Sequence, residues 1–317
     1  MPNKFKFLLV FTLATPIWTD AFAQNDTNKL APIRQEIVEG KRAMSTFNMF
    51  REPSYIILGS GIGNLEPLIF ESDVIPYFML SLSKNNRWGI ELSPRAIMRM
   101  YNQESHPVRT PSFMPRVTFF IQFVEKEHKK RDFFSYVSWM HYSNGQEGDF
   151  FNADSTINTH TGSFYTNWVE GGIFLSRPDA NLLFVTNYLK LYTAYSFVQE
   201  KKMDDIYGRL RFFAQVKSTV KLSRFFKAFS STDDVNKNYI FDQSINLGWI
   251  ASELKNTKPI DKKRFIFNYR LSFKPTFLKD VNIFIHYYYG QDYYNIHFGK
   301  QINVIRFGIS SKSSILF

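Results

Sequence analysis

The 317-residue chain contains no cysteine, which excludes a disulfide framework and any thiolate metal site. Beyond residue 23 it also has no uninterrupted apolar run long enough to cross a bilayer as a helix. His106, His128, His160, His286 and His297 show no metal-ligand spacing and read as structural. No internal repeat or low-complexity tract stands out, and the pattern reads as one domain. Aromatic residues, in contrast, are abundant: 18% of the chain, with 34 Phe and 17 Tyr. A chain too polar for membrane helices, yet crowded with aromatics, fits a barrel that alternates lipid-facing and interior residues and carries aromatic girdles. A soluble β-sandwich does not ordinarily need so many.

The N-terminus reads as an export signal. Lys4 and Lys6 form a basic start, residues 7–17 are largely apolar, and Ala21-Phe22-Ala23 is a small-x-small cleavage site. Pro16 interrupts the apolar run, which is too short for a membrane anchor. Residues 1–23 are therefore expected to be removed. Residues 24–50 are polar and helix-permissive and are expected to form a periplasmic arm. Residues 51–317 are expected to form the barrel.

From about residue 51 the sequence alternates with period two between polar turns. Residues 77–83, 116–124, 209–217, 264–273 and 281–289 are the best examples. In residues 264–273, Phe265, Phe267, Tyr269, Leu271 and Phe273 form an apolar row opposite Arg264, Asn268, Arg270 and Ser272. One greasy face and one charged face suit a membrane barrel with a polar interior, into which Arg209, Arg211, Arg264 and Arg270 would point. Tyr287, Tyr288, Tyr289 and Trp249 read as girdle aromatics. Breaker clusters fall at residues 59–63, 84–87, 102–111, 145–162, 177–181, 230–238 and 254–262, and 182–198 looks long enough to hide a further turn. Roughly ten residues per strand plus turns predicts an all-β, transmembrane, antiparallel barrel of about twelve strands. The terminal aromatic Phe317 suits the assembly signal of an outer-membrane barrel.

The formal net charge is +11. An exported chain rarely meets nucleic acid, so none is expected as a partner. Anionic lipid headgroups or lipopolysaccharide phosphates fit the charge better, although solvated loops and a polar lumen account for it equally well.

Residues 133–143, FFSYVSWMHYS, followed by Asn144-Gly145, carry the strongest chemical signal. Alternate residues of a strand share a face, roughly 6.5–7 Å apart. His141 and Ser143 therefore lie together with Ser135, Val137 and Trp139, while Phe134, Tyr136, Ser138, Met140 and Tyr142 take the other face. A serine nucleophile one pleat from its base, on a strand apolar on both sides, suggests acyl chemistry beside lipid. Asn144-Gly145 is also an ordinary turn dipeptide, and Ser105 is equally readable as the cap of a Ser-x-Pro turn.

These elements resemble outer-membrane phospholipase A, the calcium-dependent barrel lipase of Gram-negative bacteria. The resemblance rests on His141-Tyr142-Ser143-Asn144-Gly145, on Ser105-His106-Pro107-Val108-Arg109 with Pro115 ahead of it, and on Ser163-Phe164-Tyr165-Thr166-Asn167 behind it. Residues 290–295 and 304–308 resemble that family's last hairpin, so the likeness runs from about Tyr55 to Phe317. It implies hydrolysis of phospholipid acyl esters in the outer membrane, with Ser143 as nucleophile, His141 as general base and Asn167 as the amide that orients His141. It further implies Gly145 as an oxyanion donor, assisted by water on bound calcium. Calcium would be held by Ser105 of the partner subunit and backbone oxygens near Gln146 and Ser163, in a homodimer acting on membrane phospholipids.

Two departures from that family are visible. Gln146 stands where the family usually has Arg, and residues 146–162 form a longer loop. The long loop leaves Asn152 and Asn158 as competitors of Asn167 for the orienting role; Ser163 at the family spacing favours Asn167. Two other readings remain open here. A lipid A deacylase also uses His-x-Ser on a strand, but is shorter and orients its histidine with a carboxylate. A porin-like barrel would carry no chemistry at all.

Overall fold

The computed structural model describes residues 46–82, 88–123, 132–176, 188–221, 240–275, 278 and 280–311. The expected signal segment 1–23, the arm up to residue 45, His128, Phe317 and the breaker clusters at 84–87 and 230–238 lie outside the described residues, as do residues 177–187. Twelve barrel strands follow the chain. They are β1 (Ser54–Leu58), β2 (Leu68–Val74 and Phe78–Leu82), β3 (Trp88–Ser93 and Ala96–Tyr101), β4 (Ser112–Phe113 and Arg116–Phe123), β5 (Asp132–Ser143) and β6 (Tyr165–Ser176). Then come β7 (Tyr188–Gln199), β8 (Leu210–Lys221), β9 (Ile240–Ile250), β10 (Phe265–Lys274), β11 (Asn282–Gln291) and β12 (Gln301–Ser311). Each pairs antiparallel with its chain neighbours, and β1 pairs with β12, so the sheet closes as a twelve-stranded barrel. Closure leaves no unpaired edge, the condition a spanning sheet must meet in lipid.

Burial alternates as the sequence pattern predicts. On β5, Val137 and Trp139 are exposed while Phe134, Tyr136, Ser138 and Tyr142 are buried. On β10, β11 and β12 the outward rows include Phe265, Ile283, Ile285, Ile305, Phe307 and Ile309. The inward rows carry charge, and its most buried members are paired. Arg99 holds Glu71 at 2.7 Å and forks onto both oxygens of Asp292 at 2.8 and 2.9 Å. Arg306 meets the same Glu71 at 2.9 Å. Buried ions persist only when compensated in this way, and the cluster ties β2, β3 and β12 to the last loop.

Alternation also corrects two sequence expectations. Tyr288 is buried and donates to the Gln291 carbonyl at 2.7 Å, so only Tyr287 and Tyr289 of that run face outward. Arg209 lies outside β8 and pairs with Asp204 at the surface, whereas Arg211 and Arg270 line the interior. Arg264 is buried but at the rim, donating to the carbonyls of Ile250 and Ser252.

Both ends of the lumen are filled. At the end where β5 finishes, Tyr142, Phe150, Phe164, Trp168, Tyr207 and Phe298 join an apolar plug built largely by loops. At the other end, residues 46–50 form a helical turn inside the barrel. Its Phe47 and Phe50 pack on inward-facing Phe120, Phe134, Tyr136 and Phe174. Burying each such ring contributes roughly 2 kcal/mol. Lys217 accepts the end of the turn by donating to the carbonyls of Met49 and Arg51 at 2.8 and 3.1 Å. The last residues of the expected arm thus lie within the barrel. Between the plugs is a polar cavity of about 550 Å³ lined by Glu52, Arg116, Glu170, Lys190 and Arg270.

Prolines crease one side of the wall. β2 is interrupted at residues 75–77 around Pro76, β3 at Pro94 and Arg95, and β4 at Met114 and Pro115. Proline has no N–H for the ladder and a fixed φ, so a strand cannot run through it undisturbed. The gaps lie side by side, because Val74 is opposite Ala96, Ala96 opposite Phe113, and Phe113 opposite Ser143. On β5 the crease meets His141, whose N–H reaches the Pro115 carbonyl at 3.1 Å.

Candidate active site

His141 and Ser143 project from the outer face of the barrel, at the end of β5. Both are half-buried and sit in line with exposed Val137 and Trp139. Strand register places Asn167 of β6 directly opposite His141. Their side chains meet, His141 Nδ1 to Asn167 Oδ1 at 2.8 Å. An amide oxygen accepts, so Nδ1 carries the proton and Nε2 is left as the acceptor of the ring. Among the described residues no hydrogen bond joins the ring to the Ser143 hydroxyl. In the free state of many enzymes such contacts are long, and they tighten on substrate binding.

Cross-strand neighbours frame Ser143. Phe113 lies opposite it on β4 and Tyr165 opposite it on β6, and both rings are exposed on the outer face. Below His141, Trp139 is level with Val169, and Val169 with Tyr195, giving an apolar floor. Beside Asn167 the β6–β7 register slips, so consecutive residues Phe197 and Val198 are both exposed. Bulges of this kind re-aim side chains next to functional sites.

Gly145 follows with φ +63°, a left-handed conformation that any Cβ would strain. The neighbouring Asn144 is fully buried and acts as a hub. Its Nδ2 donates to the Gly162 carbonyl at 2.7 Å and to Asn295 Oδ1 at 2.8 Å. Its Oδ1 accepts from the Gln146 and Phe164 amides at 3.4 and 3.3 Å. Asn295 has φ +48°, and in turn donates from Nδ2 to the Thr110 carbonyl and from its backbone N–H to Ser112 Oγ. Three loops are fastened on these two asparagines. Neither role is visible in sequence, because the partners stand 151 residues apart.

The long loop is a clamped excursion. Gly148 N–H donates to Thr161, and Ser163 N–H returns to Gly148, at 3.0 and 2.8 Å. Gly148 and Gly162 bridge at its base, and a Cβ on either would collide with backbone oxygen at 2.4 or 2.3 Å. Asn152 and Asn158 lie within the excursion and bond Thr156, Thr161 and the Asp149 carbonyl, and among the described residues neither bonds His141.

Ser105, Gln146 and Ser163 belong to two adjoining loops. The Gln146 side chain donates to Thr110 Oγ1 at 2.7 Å and to the His160 carbonyl at 3.0 Å. His160 Nδ1 accepts from Arg109 at 2.6 Å, and partial burial together with the Arg109 charge lowers the pKa of the ring. Arg109 also reaches Gln103, which donates to the carbonyls of Ser105 and His106. No carboxylate or histidine cluster suited to a metal occurs among the described residues. The carbonyls of Gln146 and Ser163 receive no hydrogen bond among those residues. Together with a Ser105 hydroxyl from a second copy they would make a neutral all-oxygen donor set, which fits a hard cation such as calcium in kind.

No protein-family model matches the sequence, and no curated protein matches it. Solved structures do. Outer membrane phospholipase A from Escherichia coli is 11% identical, with TM-score 0.51 over 82% of this chain and 90% of that one. An active-site asparagine-to-alanine mutant of that protein at pH 6.1 gives 11% identity and TM-score 0.53 over 85% and 98%. A Salmonella typhi outer membrane phospholipase dimer with bound calcium gives 12% and 0.54, over 85% and 98%. The chain therefore has the fold of outer membrane phospholipase A.

Proposed function

We propose that the protein is a calcium-dependent phospholipase A of the outer membrane, acting from the lipid-facing wall of its barrel. The observation that carries this reading is the His141–Asn167 hydrogen bond, placed outward by register beside Ser143. An asparagine in the active site of the E. coli structural neighbour supports the role given to Asn167.

A phospholipid would approach sideways, with its acyl chain along Trp139, Val137 and Val169 and its ester carbonyl between Phe113 and Tyr165. Ser143 Oγ attacks that carbonyl while His141 Nε2 takes the hydroxyl proton. Asn167 Oδ1 holds Nδ1–H, fixing the tautomer without placing a second charge beside hydrocarbon, where a carboxylate is costly. The Gly145 N–H meets the developing oxyanion. Collapse breaks the ester bond, and His141 returns its proton to the leaving lysophospholipid oxygen. Water, deprotonated by His141, then attacks the acyl carbonyl, and His141 passes that proton to Ser143 Oγ as the fatty acid leaves. Calcium, when bound, supplies positive charge near the oxyanion. Ser105, Gln146 and Ser163 would hold it through neutral oxygens, Ser105 coming from the second copy of a homodimer, as a calcium-bound dimer among the neighbours suggests.

Plugs at both ends of the lumen speak against a channel. The amide partner of His141 speaks against a carboxylate-oriented deacylase.

The test is fatty-acid release from phosphatidylethanolamine vesicles by the refolded protein, with calcium and then with chelator. Ser143→Ala should lower the rate by at least about a thousandfold, and chelation should abolish most of it. Release that survives Ser143→Ala would end the proposal; release that needs Ser143 but ignores calcium would remove the metal from it.

A further inference from the structure

The loop between β9 and β10, residues 251–264, divides in two: Leu254 packs against the buried cluster of Ile250, Ile266, Tyr288 and Ile302, while the second half lies at the outer rim. Two outward-facing girdle residues hold it outside. Trp249 Nε1 donates to the Pro259 carbonyl at 3.1 Å, and Tyr289 donates to the Lys262 carbonyl at 3.2 Å. Both side chains lie on the lipid-facing rows. Trp249 stacks on exposed Phe212 with centroids 6.1 Å apart, and Tyr289 pairs across the sheet with Phe267. Residues 259–262 are thereby laid along the outer rim at the level of the aromatic belt.

What this segment presents is Ile260, 86% exposed, flanked by exposed Lys258, Lys262 and Lys263, with Lys255 nearby. Among the described residues none of these lysines forms an ion pair. The carboxylates in the loop are Glu253 and Asp261, and Asp261 is engaged by the Lys263 amide at 2.8 Å. The loop is also internally braced: Arg264 Nε donates to Thr257, and the Asp261 N–H to the Lys258 carbonyl. A lone exposed isoleucine has no special meaning. An isoleucine between unpaired lysines, fixed on the outer side of an aromatic girdle, is the arrangement expected at a lipid headgroup layer.

We infer that the β9–β10 loop is a docking site for the phosphate of an anionic membrane lipid, with Lys258, Lys262 and Lys263 meeting the phosphate and Ile260 entering the acyl boundary. The site lies on a different wall from His141 and Ser143 and does not depend on the proposed chemistry. It would fix the height and tilt of the barrel in the leaflet where the candidate site opens. Basic residues near an anionic surface each add to binding by about fivefold.

Native mass spectrometry of the refolded full chain tests this, with diether phosphatidylglycerol or diether phosphatidylcholine added to the detergent. The ether bonds remove hydrolysis as a confounder. The wild type should retain phosphatidylglycerol in clear preference. A Lys258→Gln/Lys262→Gln/Lys263→Gln variant should lose about a hundredfold in retention, and Ile260→Asn should lose less. A Lys201→Gln/Lys202→Gln control, on the β7–β8 loop, should keep the preference. Equal retention of the two lipids, an unchanged triple variant, or an equal loss in the control would overturn the assignment. A heat-modifiable gel shift checks that each variant is a folded barrel.

Discussion

The two halves of the candidate site are held by different means. His141 and Asn167 sit on neighbouring strands, and ladder register alone brings their side chains to 2.8 Å. Gln146 and Ser163 sit in a loop whose shape depends on Asn144, Asn295 and a chain of side-chain bonds through His160, Arg109 and Gln103. Register is set by dozens of residues at once, since a one-residue slip would turn every side chain to the wrong face. Loop geometry instead rests on a few contacts, any of which a single substitution can remove. The half proposed for chemistry should therefore tolerate changes in its surroundings, and the half proposed to hold calcium should not.

The sharpest break is Asn167→Ala. Losing the acceptor on Nδ1 leaves the fold intact and lets the ring choose its tautomer, so the rate should fall by about 10- to 100-fold. Asn152→Ala and Asn158→Ala, measured in the same fatty-acid assay, should leave the rate within about twofold. A loss at either of them comparable to that of Asn167→Ala would show that the register-built pair is not the working one.

Asn144→Ala attacks the other half. It removes donors to Gly162 and Asn295 and leaves buried groups unpaired, at a cost of about 2–4 kcal/mol. Thermal unfolding should register that cost. The concentration of calcium giving half-maximal activity should rise while the rate at saturating calcium changes little. An unchanged calcium requirement would mean that the hub is purely structural.

The smallest effect concerns pH. His297 lies in the β11–β12 loop beside Asn295, and burial pushes its pKa down to about 4. A histidine whose folded pKa lies below the ordinary value near 6.5 is stabilising when neutral. Its contribution is complete above about pH 6.5 and is lost as pH falls toward 4. The unfolding midpoint should therefore drop over that interval, and less steeply in His297→Gln. A parallel decline in both proteins would place the acid sensitivity elsewhere.

Much of the barrel was legible in sequence because lipid imposes a strict alternation. The β5 faces, the outward serine and histidine, and a strand number near twelve follow from period and turn spacing. Where alternation was read too generously it misled: Tyr288 belongs to a run of three tyrosines, yet a strand turns the middle one inward. Arg209 precedes its strand and so escapes the interior altogether. What no local pattern discloses is contact across the barrel. The Asn144–Asn295 hub, the helical turn at residues 46–50 inside the lumen, and the crease at Pro76, Pro94 and Pro115 each need the closed sheet before their partners meet.

The clamp at Gly148 and Gly162 has a consequence for how such a chain can vary. Because the two ends of the excursion are tied to each other, the span from Ser143 to Asn167 no longer depends on how many residues lie between the ties. Closing a longer loop adds little entropy once its base is fixed, and surface loop tips are where foreign segments are tolerated best. Residues 149–161 are thus a port at which the outer surface can lengthen, shorten or drift in sequence while the register beneath it stays in place, limited chiefly by the need for an aromatic at Phe150 to complete the plug.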